Sequence, residues 1–371
     1  MVETYSAPIV PSAAAAMMAL EKVIQKVTDA ASPDHPAYGM MKKKGRFIFN
    51  HTHPLIKWKV KYHQPDSEVY VPNLAMQAPQ ENLYEEATLP VRGRYFARSI
   101  DYLNRLYSQG SNVKLDFWQE LLKEGPKALL RNMCQDLYQI DGNATGYTYQ
   151  FHGLPSFLGT TGSAINDTEF FYPSDTYAGL STVLTNYGGS HSYFPLSASP
   201  KACFFSPILS DYNATGLQPL PSGQTAHSWT TQWRDAMSRA STYLMQRQGK
   251  KVDTWVCPPD LWLNAKKSIE LSEGVYLERG ADSSLAISLG YKSFTYDGVD
   301  VVQDQDVPTG VCYGLHWESI TFVSPQAQLV ARFKEFEAER LNEARYFALF
   351  GNFRIETPAH VIELKNQTDA S

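Results

Sequence analysis

The sequence has 371 residues and a formal net charge of −5; 43% of its residues are hydrophobic, 13% aromatic and 19% charged. The length allows more than one domain, and the negative net charge excludes general nucleic-acid binding through phosphate neutralisation. Few charged and many aromatic residues are typical of a surface that other proteins cover, and equally of a large, well-packed monomer.

The cysteines and the apolar runs exclude further classes. The cysteines are widely spaced and form no C-x-x-C pair, which argues against a zinc site and against a disulfide framework. They are Cys134, Cys203, Cys257 and Cys312. No apolar run reaches membrane-spanning length, and no basic residue precedes the apolar stretch 13–20. We therefore expect neither a secretory signal nor a membrane anchor.

Residues 1–45 are predicted to form an N-terminal arm. Ser12 is a suitable N-cap for a helix whose apolar residues recur at helical spacing, and Pro33 and Pro36 are expected to end it. So narrow an apolar stripe needs a surface to lie on. That surface is either another subunit or the body of the same chain.

Residues 46–105 are predicted to form a long, twisted β-hairpin with an irregular tip. In the first strand, apolar residues alternate with Lys57, Lys59 and Lys61, so one face is apolar and the other cationic. The return strand is expected at 88–100. It places three further basic residues on one face, namely Arg92, Arg94 and Arg98.

Two cationic faces repel each other when they are paired side by side. The hairpin therefore needs acidic partners, which either its own tip or a neighbouring subunit could supply, unless the charges are simply solvated. The acidic residues assigned to the tip are Asp66, Glu68, Glu81, Glu85 and Glu86.

The middle of the chain is predicted to contain three helices around irregular structure. A long helix is expected at 113–139, with a kink or a break at Gly125-Pro126. Residues 140–228 are rich in turn-forming and aromatic residues and predict loops with short strands. Helical periodicity returns at 229–247. A buried strand at 254–257 precedes a third helix that ends near Leu271.

The C-terminal third is predicted to be rich in β-strands. Asp297-Gly298 lies between two short apolar runs, which is a strong hairpin signal. One strand is expected at 311–323 and further strands at 345–364, with Pro358 at a sheet edge. Because helices and strands are mixed without a βαβ rhythm, the predicted fold class is α+β.

Candidate chemical sites are few. His51 and His53 are spaced so that a strand would point both to one side, and they are the best metal-binding candidates. The acidic residues Asp304 and Asp306 follow the predicted hairpin, with Asp297 and Asp300 nearby. They could form a carboxylate cluster for a cation, but we expect them to face solvent. No sequence motif for phosphate binding or for nucleophilic catalysis is present. We therefore predict no enzyme activity and no cofactor.

Four stretches resemble motifs of the major capsid proteins of tailed bacteriophages, which share the Hong-Kong-97-type fold. They are Ala87-Thr88-Leu89-Pro90-Val91-Arg92-Gly93-Arg94-Tyr95, His152-Gly153-Leu154, the run from Tyr296 to Leu315, and Gly351-Asn352-Phe353-Arg354. Each stretch alone is weak evidence. Their order and spacing make the resemblance specific, and it covers nearly the whole chain from residue 46.

The resemblance implies four regions. These are an N-terminal arm (1–45), an extended hairpin loop (46–105), a peripheral domain with a long spine helix (106–190 and 315–371) and an axial domain (191–314). It implies self-assembly into pentamers and hexamers of an icosahedral shell that encloses double-stranded DNA without reading its sequence. A separate scaffolding protein, a portal and possibly decoration proteins would be partners, with assembly in the host cytoplasm and a place in the virion capsid.

Inter-subunit contacts are predicted between the basic hairpin residues and acidic residues of the long helix of a neighbouring copy. The acidic candidates are Asp116, Glu120 and Glu124; the basic ones are Lys57, Lys59, Lys61, Arg92, Arg94 and Arg98. Two other functions stay open. One is an encapsulin-type compartment shell with the same fold, and the other is a metal-dependent hydrolase that uses His51 and His53.

Overall fold

The structure is a computed structural model that describes residues 35–61, 84–101, 117–159, 161–164, 170–173, 176–182, 205–212, 228–273, 293–337 and 342–366. The predicted helix after Ser12 and the predicted hairpin tip lie outside these residues. None of the helices in the described ranges combines the length and the apolar character that crossing a bilayer requires.

The described residues contain five α-helices. They are α1 (Pro36–Lys43), α2 (Phe117–Gln139), α3 (Pro155–Leu158), α4 (Trp229–Gln248) and α5 (Pro259–Glu273). Short 3-10 helices occupy Trp317–Ser319 and Pro358–His360.

The strands are numbered in chain order. The first eight are β1 (Phe47–Ile48), β2 (Leu55–Lys61), β3 (Tyr84–Pro90), β4 (Arg92–Asp101), β5 (Thr161–Ala164), β6 (Phe170–Pro173), β7 (Thr176–Tyr177) and β8 (Leu180–Ser181). The remaining described strands are β9 (Ile208–Asp211), β10 (Thr254–Cys257), β11 (Ser293–Tyr296), β12 (Val299–Gln303), β13 (Val311–Leu315), β14 (Ile320–Val323), β15 (Ala331–Glu337), β16 (Asn342–Ile355) and β17 (Val361–Lys365). The mixture confirms the α+β class.

The chain divides into two compact units. The small unit contains the ranges Gly93–Asn132 and Gln328–Phe350, and the large unit contains His35–Arg92, Met133–Ala327 and Gly351–Ser371. The domain boundaries implied by the resemblance remain predictions.

The core of the large unit is an eight-stranded sheet with the order β11-β12-β10-β13-β17-β9-β6-β5. Strands β10 and β12 pair in parallel, as do β9 and β17, and the other neighbours are antiparallel. Helices α4 and α5 bury their apolar faces against this sheet. Their core includes Trp229, Trp233, Trp255, Trp262 and Phe294.

Local sequence signals explain the ends of these elements. Ser228 and Thr231 form a capping box at the start of α4, and Gly249 ends the helix in the left-handed conformation. Asp297 and Gly298 both have positive φ, as the two-residue turn between β11 and β12 requires. The predictions for both helices, for β10 and for this hairpin are confirmed.

In the small unit, β16 pairs with β15 and with β4. Helix α2, which begins in this unit, runs unbroken through Gly125-Pro126, so the helix has no break there. The alternative of a kink stays a prediction. A Cβ atom at Gly125 would come within 2.5 Å of the Phe347 ring on β16. The glycine therefore permits close packing of helix and strand.

Two other predictions need correction, and one strand was not predicted. The predicted strand 311–323 is interrupted by the 3-10 helix Trp317–Ser319. Pro358 lies buried in a 3-10 turn, where its missing N–H breaks no sheet ladder, and not at a sheet edge. Strand β15 was not predicted, because its sequence mixes charged and apolar residues without a clear alternation.

The hairpin also differs from the prediction. The strand that pairs with β2 is β3, and the ladder ends at the pair Leu55–Pro90 because proline cannot donate a further hydrogen bond. The chain then starts β4, which pairs with β16. The arginines are therefore not on the strand that pairs with the lysines, and Glu85 and Glu86 belong to β3.

Candidate functional site

The lysine face of the hairpin finds an acidic partner within its own ribbon. Lys57 Nζ lies 2.6 Å from Glu86 Oε1, and both side chains are about half exposed. The register places Lys59 directly opposite Glu86, and Lys59 is exposed as well. An exposed pair of this kind contributes under about 1 kcal/mol, so the face is available for contacts with other molecules.

The apolar face of the described hairpin strands is buried in the same chain. Ile56, Val60, Ala87 and Leu89 are all buried. Trp58 donates its indole N–H to the Glu356 carbonyl at 3.3 Å. The large unit itself therefore covers the apolar face of β2 and β3, without a contribution from a neighbouring subunit.

Arg92 anchors the chain at the point where the hairpin ends. Its Nη1 donates to the carbonyl oxygens of Gly142 at 2.9 Å and Gln150 at 2.6 Å. Burial lowers the pKa of Arg92, and nearby Asp141 opposes this shift. The guanidinium thus clamps the loop after α2, so Arg92 has a structural role within its own chain.

Asn352 joins three of the stretches that carry the resemblance. Its Oδ1 accepts the backbone N–H of His152 at 2.8 Å. Its Nδ2 donates to the Pro90 carbonyl and to His152 Nδ1, each at 2.8 Å. Burial, with a further contribution from Arg92, lowers the pKa of His152 to about 3. The neutral imidazole can therefore accept this hydrogen bond, and both Asn352 and His152 are buried.

The small unit exposes aromatic side chains on its strands. Tyr95 on β4 is 77% exposed and Phe333 on β15 is 54% exposed. Phe350 on β16 is exposed to a smaller extent. Arg98 lies over the Phe96 ring at 4.8 Å, and its guanidinium stays at the surface. A surface that combines aromatic and arginine side chains has the composition of a protein–protein interface.

The acidic loop after β12 is not solvent-facing. Asp304 and Asp306 are 1% and 2% exposed, so the prediction for both residues is wrong. The loop turns inward because the Asp304 backbone N–H donates to the Cys257 carbonyl and Gln139 Nε2 donates to the Asp306 carbonyl. Asp306 Oδ2 lies 2.5 Å from His35 Nδ1.

The predicted histidine pair does not form a metal centre in the structure. The ring centroids of His51 and His53 are 6.1 Å apart. His51 Nε2 lies 3.1 Å from the Leu55 carbonyl oxygen, so this ring nitrogen is already engaged in a hydrogen bond. Among the described residues, the group with the spacing of a metal site is His35, Cys134 and Asp306.

The remaining predicted contact residues are placed as follows. Glu124 is exposed on α2, and Arg94 lies half-buried on β4. Asp116 lies outside the described residues, as do the side chains of Lys61 and Glu120. The inter-subunit contacts themselves stay a prediction.

The sequence alone matches no family model and no curated protein. The structure, in contrast, is similar to solved capsid proteins over nearly its full length. A chain of the cyanophage A-1(L) capsid superposes with a TM-score of 0.59 at 15% identity, covering 93% of this chain and 96% of that one. A capsid chain of a native GTA particle gives 0.56 at 11% identity, covering 93% and 95%.

The chain has the Hong-Kong-97-type capsid fold. The same fold occurs in the SrpI encapsulin of Synechococcus elongatus, which superposes with a TM-score of 0.51 at 9% identity over 97% of this chain and 96% of that one. The junction around Asn352 lies inside this fold. Its partners were already among the stretches quoted for the resemblance, but their mutual contacts could not be predicted from spacing.

Proposed function

We propose that the chain is the major capsid protein of a tailed phage, with copies that form pentamers and hexamers of an icosahedral shell around double-stranded DNA. The observation that carries this proposal is the similarity to phage capsid chains over more than nine-tenths of both chains. The protein would act by association and not by catalysis.

Association would use the surfaces that the fold leaves uncovered. The exposed aromatic residues of the small unit supply apolar area, and exposed Lys59, Arg98 and Glu124 supply charges of both signs. We place Arg94, Arg98 and the hairpin lysines against the acidic residues Asp116, Glu120 and Glu124 of a neighbouring copy. Each exposed pair contributes under about 1 kcal/mol, and repetition by symmetry makes the sum sufficient.

Other parts of the proposal follow from the kind of particle. A separate scaffolding protein, a portal and decoration proteins would be the partners in the host cytoplasm. The mature protein would reside in the virion. Because the net charge is −5, the shell would confine its DNA without neutralising the phosphates.

A charge-reversal pair tests the contact. We expect Arg98→Glu to abolish shell formation, because it places two carboxylates together across the interface, while the subunit stays folded. Glu124→Lys in the same chain should restore shells. Negative-stain microscopy and sedimentation velocity measure assembly, and circular dichroism measures folding.

Lys267→Glu is the matched control, since Lys267 is an exposed lysine on α5. It should assemble like the wild type. Normal shells from Arg98→Glu, or a double variant that fails as the single one does, would refute the pairing.

The encapsulin-type compartment is the second candidate, because an encapsulin shares the fold. The contents of purified particles separate the two functions. Nuclease-protected double-stranded DNA supports a capsid, whereas a single co-purifying cargo enzyme without DNA supports a compartment.

A further inference from the structure

Three side chains from distant parts of the sequence meet inside the large unit. His35 precedes α1, Cys134 lies on α2 and Asp306 follows β12. One ligand atom of each residue lies within 4.8 Å of the ligand atoms of the other two. Cys134 and Asp306 are buried, and the His35 side chain is 12% exposed. Imidazole, thiolate and carboxylate are the ligand types that zinc takes in proteins.

Asp304 supplies a second, independent observation. Its carboxylate is buried beside this cluster, where Oδ1 accepts the backbone N–H of Asp306 at 3.0 Å. Its other oxygen, Oδ2, is buried and has no hydrogen-bond partner. Asp304, Asp306 and Cys134 are all buried from solvent. Such an accumulation of acidic groups away from water is costly unless a cation compensates it.

The backbone around the cluster is arranged for negative charge. The N–H of Ala37, in the first turn of α1, donates to Asp304, and the N–H of Tyr38 donates to Cys134. N–H groups at a helix N-terminus stabilise anions. They would hold the Cys134 sulfur and the Asp304 carboxyl group in place before a metal ion arrives.

We propose that His35, Cys134 and Asp306 bind a zinc ion, with Asp304 as the neighbouring carboxylate that balances its charge or completes its coordination. Hard cations such as Mg²⁺ and Ca²⁺ prefer all-oxygen sites and do not suit a thiol and an imidazole. Zinc bond lengths of about 2.0–2.3 Å separate tetrahedral ligands by about 3.3 Å or more. His35 Nδ1 and Asp306 Oδ2, now 2.5 Å apart, would move apart by less than about 1 Å.

The ion would tie three elements together. It would fix the start of α1 to the C-terminal turns of α2 and to the loop after β12. Binding requires the Cys134 thiol to lose its proton, so zinc uptake releases protons and strengthens with rising pH. The site is structural, because its protein ligands all lie within one unit and the most exposed of them, His35, is 12% exposed.

The test uses the purified full-length chain. After exposure to zinc and gel filtration with a weak chelator, mass spectrometry of the metal should find one zinc ion per wild-type chain. Cys134→Ala and His35→Ala should lose it, and Asp304→Asn should lower the affinity about tenfold to a hundredfold. Cobalt bound to the wild-type chain should show a thiolate charge-transfer absorption band. This measurement tests the site without any substitution.

Two matched controls exclude other sites. Cys312→Ala removes a buried cysteine elsewhere in the large unit, and His51→Ala removes a histidine of the other candidate pair. Both should keep the zinc ion and the cobalt–thiolate band. A wild-type chain without the band, or zinc that survives Cys134→Ala but is lost from His51→Ala, overturns the proposal. None of these readouts depends on shell assembly, so they are independent of the proposed function.

Discussion

The aromatic residues of the sheet core in the large unit and those on the strands β4 and β15 of the small unit differ in exposure. In the large unit, the tryptophans of α4, α5 and β10 are buried against the eight-stranded sheet. The indole N–H groups of Trp229, Trp233 and Trp262 donate to oxygen atoms of the same chain. In the small unit, Tyr95 and Phe333 point away from the chain and are more than half exposed. The sheet core of the large unit is therefore closed by its own side chains. Strands β4 and β15 of the small unit leave aromatic side chains at the surface, as the loop after α2 does with Tyr149 in the large unit.

The largest expected effect comes from breaking the core of the large unit. Trp233 is buried, lies 4.9 Å from the Tyr296 ring and donates its indole N–H to Ser268 Oγ at 2.7 Å. Trp233→Ala should lower the free energy of unfolding by about 3–5 kcal/mol. Urea denaturation of the unassembled subunit measures this change.

Met245→Ala is the control, because Met245 is exposed on the same helix. It should change stability by less than about 0.5 kcal/mol. If the two variants were equally stable, the large unit would not depend on this core.

The second effect concerns acid and the His152 junction. The pKa of His152 is about 3 in the folded chain and 6.5 in the unfolded one, because burial disfavours the charged ring. A depressed histidine pKa stabilises the fold above pH 6.5, and this contribution is lost as the pH falls towards 3. The loss is about 1.4 kcal/mol per pH unit, or about 2 kcal/mol between pH 6.5 and pH 5.

His152→Gln tests this assignment, since an amide oxygen can still accept the hydrogen bond from Asn352 but does not titrate in this range. The variant should lose less stability between pH 6.5 and pH 5 than the wild type. His360 is shifted in the same direction, to about 4, mainly by burial, so some acid sensitivity should remain. His53→Gln, at an exposed position, should behave as the wild type; an unchanged profile for His152→Gln would contradict the junction model.

The predictions that succeeded are those that depend on neighbouring residues in the sequence. Helices α4 and α5, strand β10 and the Asp297-Gly298 hairpin follow from local periodicity and turn chemistry, which lie within a few consecutive residues. The strand that pairs with β2 could not be predicted in this way. Its register, which places Glu86 opposite Lys59 and ends at Pro90, depends on pairings elsewhere in the fold, including that of β4. A local sequence pattern predicts where helices and strands occur, but it does not predict which strands pair with each other.

The candidate sites show this limit more strongly. Asp304 and Asp306 are acidic residues after a hairpin, a pattern that predicts exposure, yet the Cys257 carbonyl turns their loop inward. The prediction against a zinc site rested on the spacing of the cysteines alone and did not include histidines or carboxylates. Residues 35, 134 and 306 meet only through the fold, so no local spacing could have indicated the cluster.

The smallest effect on stability, and the sharpest test of the comparison, lies on the small unit. Tyr95→Ser combined with Phe333→Ser removes two exposed rings that contribute little to the folded subunit, so stability should change by less than about 0.5 kcal/mol. Shell assembly, followed by sedimentation velocity, should nevertheless fall sharply, because apolar area at the centre of an interface carries much of its binding energy. Met245→Ser removes an exposed apolar side chain from the large unit and should leave assembly intact. If the paired substitution unfolded the subunit, the rings would belong to an internal core. If shells formed normally, the exposed face of the small unit would not be the surface through which copies associate.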